Sequence, residues 1–211
     1  MPAIIDGTNG VTSPIDVEIQ GSTSGSITIA VPAVAGSNTQ TLVATTGTLA
    51  PIVSGTTVAT TSGTSIDITG IPSWVKRVTV MFNGISSNGS NLFLMQLGTS
   101  GSIETSSYNG TAGWFGFTNA ANSTAMSSGF LLTAVGAAAF TGSGIATLAL
   151  LDSSTNTWTM QSTIGRYDSA NNYIHIAGGS KALSSTLTRI RITTVGSTDT
   201  FDAGYINILY E

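Results

Sequence analysis

Along this chain apolar and polar residues alternate in short stretches with a period of two. Ile190 and Ile192 alternate with Arg189 and Arg191, and Ile206, Ile208 and Tyr210 alternate with Tyr205, Asn207 and Leu209. Successive side chains of an extended backbone point to opposite faces, so each set marks one face of a half-buried strand. Ile66 and Ile68 show the same spacing, as do Val78, Val80 and Phe82 opposite Arg77, Thr79 and Met81. The predicted core of the body is therefore Val78, Val80, Phe82, Ile190, Ile192, Ile206 and Ile208.

Further apolar runs predict strands at residues 92–97, 130–135, 145–151, 157–164 and 173–177. Turn signals separate them, among them Asn83-Gly84, Asn88-Gly89 and the run 196–202. No stretch has the 3.6-residue period of a long amphipathic helix. Many short strands with Gly-rich turns indicate an all-β sandwich or jelly roll over residues 66–211.

The first 65 residues differ. Ile15, Val17 and Ile19 alternate, a Ser/Gly hinge follows at residues 21–26, and Ile27, Ile29 and Val31 alternate again before Pro32. Strands this short do not fold alone, so these six residues are expected to pack an arm against other chains. Residues 33–65 are rich in Thr, Ser, Gly, Ala and Val and carry no charge. Such a segment is either a flexible linker or an extended shaft packing against copies of itself, and the alternation beside it favours the shaft. The expected boundary between the N-terminal arm and the C-terminal body is at residue 65.

Composition narrows the choice of partners. Only 8% of the 211 residues are charged, the net charge is −4, and the six Lys and Arg residues are scattered. Nucleic acid is bound through clustered positive charge, so it is set aside as a partner. A surface of Ser, Thr, Asn and Gly repels other copies weakly, and self-association is expected. With no cysteine, neither a disulfide nor a thiolate metal site can form. The opening MPAIIDGTNG has neither the basic nor the apolar region of a secretory signal. Residues 130–151 are uncharged and about as long as a bilayer span. However, Thr141-Gly142-Ser143-Gly144 reads as a turn within them, and no Lys or Arg flanks them. Two buried strands joined by that turn are expected there, and no membrane span.

Candidate chemistry is sparse. The single histidine, His175, lies between Ile174 and Ile176 in a predicted strand, where a hydrogen-bonded structural role is expected. No Gly-x-Ser-x-Gly elbow occurs. A glycosidase pair would have to come from Asp152, Asp168, Asp199 and Asp202, yet Asp199 and Asp202 sit in a turn-rich run that favours Asp as a backbone cap. That run lacks the ligand spacing of a calcium loop, and no Gly-rich turn opens a phosphate-binding helix. The expectation is a non-enzymatic protein without cofactor or metal.

The candidate recognition residues are aromatic. Tyr108, Trp114, Phe115 and Phe117 fall in a Gly/Asn-rich stretch, and Trp158, Tyr167 and Tyr173 flank later turns. Rings in polar loops stack on sugar faces or anchor interfaces, and equally they fill cores. Tyr108, Trp114, Phe115, Phe117, Trp158 and Tyr167 are the candidate glycan or receptor contacts.

Residues 25–48, GSITIAVPAVAGSNTQTLVATTGT, resemble segments in the N-terminal halves of tailed-bacteriophage fibre and decoration proteins. Residues 66–86, IDITGIPSWVKRVTVMFNGIS, and 188–211, TRIRITTVGSTDTFDAGYINILYE, are similar to phrases that bracket the C-terminal domain of phage virion proteins of the tail-fibre type. Residues 98–165 carry no such resemblance. The resemblance implies a homotrimeric short tail fibre, head fibre or capsid decoration (cement) protein at the virion surface. Its N-terminal arm would dock on a major capsid or tail protein and its β knob would face outward, the chain being made in the host cytoplasm. The alternative is a host receptor-binding fibre that recognises cell-surface glycan through aromatic loops of the knob. Three intertwined copies would supply the core that the arm lacks.

Overall fold

In a computed structural model the described residues are 17–20, 23–29, 51–116, 121–134, 136–138, 140–167 and 172–211. The chain divides into two compact units, Met1–Thr48 and Leu49–Glu211.

In the first unit, β1 (Val17–Gln20) and β2 (Ser26–Ile29) form an antiparallel hairpin with Val17 opposite Ile29 and Ile19 opposite Ile27. The two alternating runs thus pair with each other. Ile19 is 55% exposed. Ile15 and Val31, and the segment 33–48, lie outside the described residues.

The second unit opens with two short strands, β3 (Val53–Ser54) and β4 (Val58–Ala59). Then come β5 (Ser65–Thr69), β6 (Arg77–Ser87), β7 (Phe93–Gly98), β8 (Asn109–Gly116), β9 (Ala121–Ala125) and β10 (Phe130–Leu131), of which β8 and β9 are not expected from the sequence. The longest strands come next: β11 (Thr141–Asp152), β12 (Thr157–Tyr167) and β13 (Asn172–Ala182), then β14 (Arg189–Thr194) and β15 (Phe201–Tyr210). Among the described residues the one helical turn is the 3-10 segment Val195–Ser197, and no helix is long and apolar enough to cross a membrane. The protein is all-β.

Two antiparallel sheets carry these strands. The small sheet runs β10-β7-β14-β5, and the large one runs β3-β15-β6-β11-β12-β13-β8-β9 with β4 also on β15. From β5 onward most connections carry the chain from one sheet to the other. The hairpins within β11–β13 and the β8–β9 pair stay in the large sheet.

The inward faces of both sheets form one apolar core. Ile190 and Ile192 from β14 and Met95 and Leu97 from β7 are fully buried, as are Val78, Val80, Leu148, Ile164 and Ile206 of the large sheet. Phe82 and Ile208 are 4% exposed. Phe93 of the small sheet meets Phe201 of the large one at 5.7 Å between ring centres. All seven core positions expected from alternation are thus buried.

Two expectations change. The body unit begins at Leu49 rather than after residue 65, because β3 and β4 pair with β15. Thr60 is fully buried there, and its hydroxyl donates to the Ala203 carbonyl at 2.7 Å. Secondly, residues 141–144 are not a turn but the start of β11, paired with residues 164–167 of β12. A Cβ on Gly144 would lie 2.1 Å from the Thr163 carbonyl oxygen, so glycine here permits close backbone approach rather than a bend. The run 196–202 also ends earlier than expected, since Phe201 and Asp202 already belong to β15.

Candidate interaction surface

The aromatic candidates are divided by the strands that carry them. Residues 109–116 form β8 where their Gly/Asn content suggested a loop, so neighbouring rings take opposite faces. Trp114 turns inward and meets Tyr173 edge-on at 4.8 Å, whereas Phe115 points outward, 60% exposed. Tyr108 is buried edge-on to Phe130 at 4.9 Å. Its hydroxyl accepts from the Leu97 amide at 2.7 Å and donates to the Glu104 carbonyl at 2.9 Å. Burial pushes the Tyr108 phenol well above its ordinary pKa. Trp158 is buried in β12, and Tyr167 at the end of that strand is exposed. Phe117 lies outside the described residues. Of the six, Phe115 and Tyr167 therefore remain as outward-facing rings.

Around Phe115 the outer face of β11, β12, β13 and β8 has a regular texture. Ile145, Thr163, Ile176 and Gly113 stand side by side across the four strands, as do Ser143, Gly165, Ile174 and Phe115, and Thr147, Gln161, Gly178 and Thr111. The first and third of these rows, with Phe115 from the second, line an open hollow of about 700 Å3.

On β13 burial runs against hydropathy. Ile174 and Ile176 are about half exposed, while His175 between them is fully buried. The hairpin fixes this phase. Ile164 is opposite His175 and Ser162 opposite Ala177, and β12 already directs Trp158, Met160 and Ile164 inward. A slip by one residue would turn every side chain of β13 over, and the long ladder to β12 prevents it.

Inside, His175 Nδ1 accepts from the Ala134 amide at 3.0 Å, so the neutral ring carries its proton on Nε2. Phe140 and Tyr173 lie 6.1 and 6.4 Å from it. Burial, with a smaller push from the Arg166 charge, lowers its pKa to about 4. This is the hydrogen-bonded structural histidine expected from the sequence.

Several charged groups are engaged locally. Glu104 Oε2 is 2.6 Å from Lys181 Nζ, and Oε1 accepts from the amide and hydroxyl of Ser184. Burial raises the Glu104 pKa, but these donors outweigh it and hold the carboxyl below its ordinary value. Asp67 takes two hydrogen bonds at 2.7 Å from Arg191, directly opposite it on β14, which lower the Asp67 pKa and raise that of Arg191. Asp152 caps the β11–β12 turn by accepting from Ser154, and Asp199 accepts from the amide and side chain of Asn91. Asp202 is exposed and Asp168 lies outside the described residues. Among the described residues no three His, Cys, Asp or Glu side chains group to hold a metal ion.

Sequence reasoning missed Ile145, Ile174 and Ile176 as surface residues. The signal was present in β12, whose alternation sets the phase of β13 once the two are paired as a hairpin.

Comparison with known protein families, characterised proteins and solved structures finds no match to this chain.

Proposed function

We propose that this chain is a non-enzymatic structural protein of a tailed-bacteriophage virion: a homotrimeric fibre or decoration protein attached to capsid or tail by its N-terminal arm. The observation that carries the reading is the strand order. The small sheet, β5-β14-β7-β10, and the large-sheet series β6-(β11–β13)-β8-β9 follow the order of a jelly roll whose penultimate strand is expanded into a three-stranded meander. That architecture is common in viral capsid proteins and lectins. Fold alone does not give function. The resemblance of residues 25–48, 66–86 and 188–211 to phage fibre and decoration proteins supplies the virion context.

The alternative, a receptor-binding adhesin for cell-surface glycan, is favoured by one feature. Phe115, 60% exposed, stands beside a hollow bordered by the hydroxyls and amide of Thr111, Thr147, Thr163 and Gln161, and a ring among such groups suits a neutral sugar face.

Antibody labelling of purified particles from the phage that encodes the chain tests the first reading. Labels at regular capsid or tail positions are expected, and particles without the chain refute it. The second reading requires that Phe115→Ala reduce adsorption of particles to host cells; unchanged adsorption refutes it.

A further inference from the structure

The outward face of β8, β11, β12 and β13 has three properties that rarely occur together on a surface that stays in water. Apart from Asp152 at the tip of β11, it carries no charged side chain, since every outward residue from Asn109 to Phe115, Thr141 to Leu151, Thr157 to Tyr167 and Asn172 to Ala182 is neutral. Ile145, Ile174, Ile176 and Phe115 are each about half exposed or more on it. And it has the inverted phase of β13, in which two isoleucines face out while a histidine is desolvated within.

Most charges of the body lie elsewhere. Asp67, Arg189 and Arg191 are on the opposite sheet, Arg166 and Lys181 on the inward face and Asp199 in a loop, while Arg77 of β6, opposite Ala149, and Asp152 at the tip of β11, opposite Thr157, border the face at one end. A strand edge or face left to solvent is normally protected by charge. Away from Arg77 and Asp152 at one end, this one has no such protection.

Size fits an interface. With strands about 4.8 Å apart and about 3.3 Å per residue, the outward positions of the four strands cover roughly 700 Å2. A standard protein interface buries about 800 Å2 on each partner. Neutrality then selects the partner. A charged surface would lose its hydration here without gaining a counter-charge, while a second neutral, β-branched face loses little.

We infer that this face is buried against further copies of the same chain, with Ile145, Ile174, Ile176 and Phe115 at its centre. The inference deepens the reading of a homo-oligomeric fibre or decoration protein by naming the contact surface, and it rests on that reading.

Sedimentation equilibrium of the full chain tests it, comparing the wild type with Ile176→Lys, with Thr163→Lys beside it, and with Thr186→Lys in an exposed loop. Circular dichroism identifies a variant that fails to fold, and having two lysine variants at the face keeps the outcome readable. The wild type and Thr186→Lys assemble, while folded Ile176→Lys or Thr163→Lys dissociates with affinity weakened on the order of 100-fold by an unpaired charge in the contact. A wild-type oligomer that both face variants leave intact overturns the inference and leaves the fibre reading standing. A wild type that stays monomeric at tens of micromolar overturns both, and a glycan that then slows amide exchange in β11–β13 assigns the face to sugar instead.

Discussion

His175 gives the body a pH dependence above the window in which Asp67 and Glu104, both held below their ordinary values, titrate. The ring is fully buried, with its pKa lowered from 6.5 to about 4 by burial and then by Arg166. A group whose native pKa is depressed binds protons more readily when unfolded. The stability it contributes is therefore present above about pH 6.5 and is lost as the pH falls towards 4. With these two values, linkage gives a loss of about 2 kcal/mol between pH 7 and pH 5. Asp67 and Glu104 are held below their ordinary values, so their contribution is lost below that window. Replacing His175 by Asn keeps an acceptor oxygen for the Ala134 amide but removes the titration. Urea unfolding at fixed protein concentration should show the wild type losing about 2 kcal/mol from pH 7 to 5 and His175→Asn losing less than about 0.5 kcal/mol. Equal slopes for the two proteins would refute the claim that a buried neutral imidazole anchors this end of the sheet.

Three further predictions concern the architecture. A chain beginning at Leu49 should unfold at the same urea concentration as the full-length body, whereas one beginning at Ile66 should lose about 3 kcal/mol. It would lack the Gly55–Ile208, Thr60–Gly204 and Gly63–Phe201 backbone hydrogen bonds, each worth about 1 kcal/mol; equal stability of the two truncations would return β3 and β4 to the arm. Gly204→Ala should destabilise by more than about 2 kcal/mol, because at φ +90° its Cβ would sit 2.4 Å from the Gly84 carbonyl oxygen. Gly84→Ala, with open space at φ +61°, should cost about 1 kcal/mol, and thermal melts that rank the pair the other way contradict the bulge geometry. Tyr108→Phe leaves the Leu97 amide without its hydroxyl acceptor and should cost about 1–3 kcal/mol in chemical denaturation; a neutral effect would mean that another acceptor takes over.

The elements most legible in the sequence were those with a wet side and a dry side. In β6, β14 and β15 a charged, amide or tyrosine side chain alternates with Val, Ile or Phe, and there the period alone identifies the buried face. Period two does not give phase when both faces are neutral. Ile174-His175-Ile176 shows the same alternation with the opposite outcome, because pairing with β12 rather than hydropathy decides which side is inward. The arm boundary was hidden for a related reason. β3 and β4 are held largely by backbone hydrogen bonds and the Thr60 hydroxyl, which leave no apolar pattern. Adjacent rings such as Trp114 and Phe115 look alike in composition, and the strand separates them into an inward, half-buried ring and an exposed one.

Sedimentation equilibrium of the intact wild-type chain at micromolar concentration tests the central claim most directly. The homotrimer proposed from the resemblance, assembled through the face that carries Ile145, Ile174, Ile176 and Phe115, predicts a species at three times the chain mass of 21.4 kDa. A single species at 21.4 kDa would contradict it.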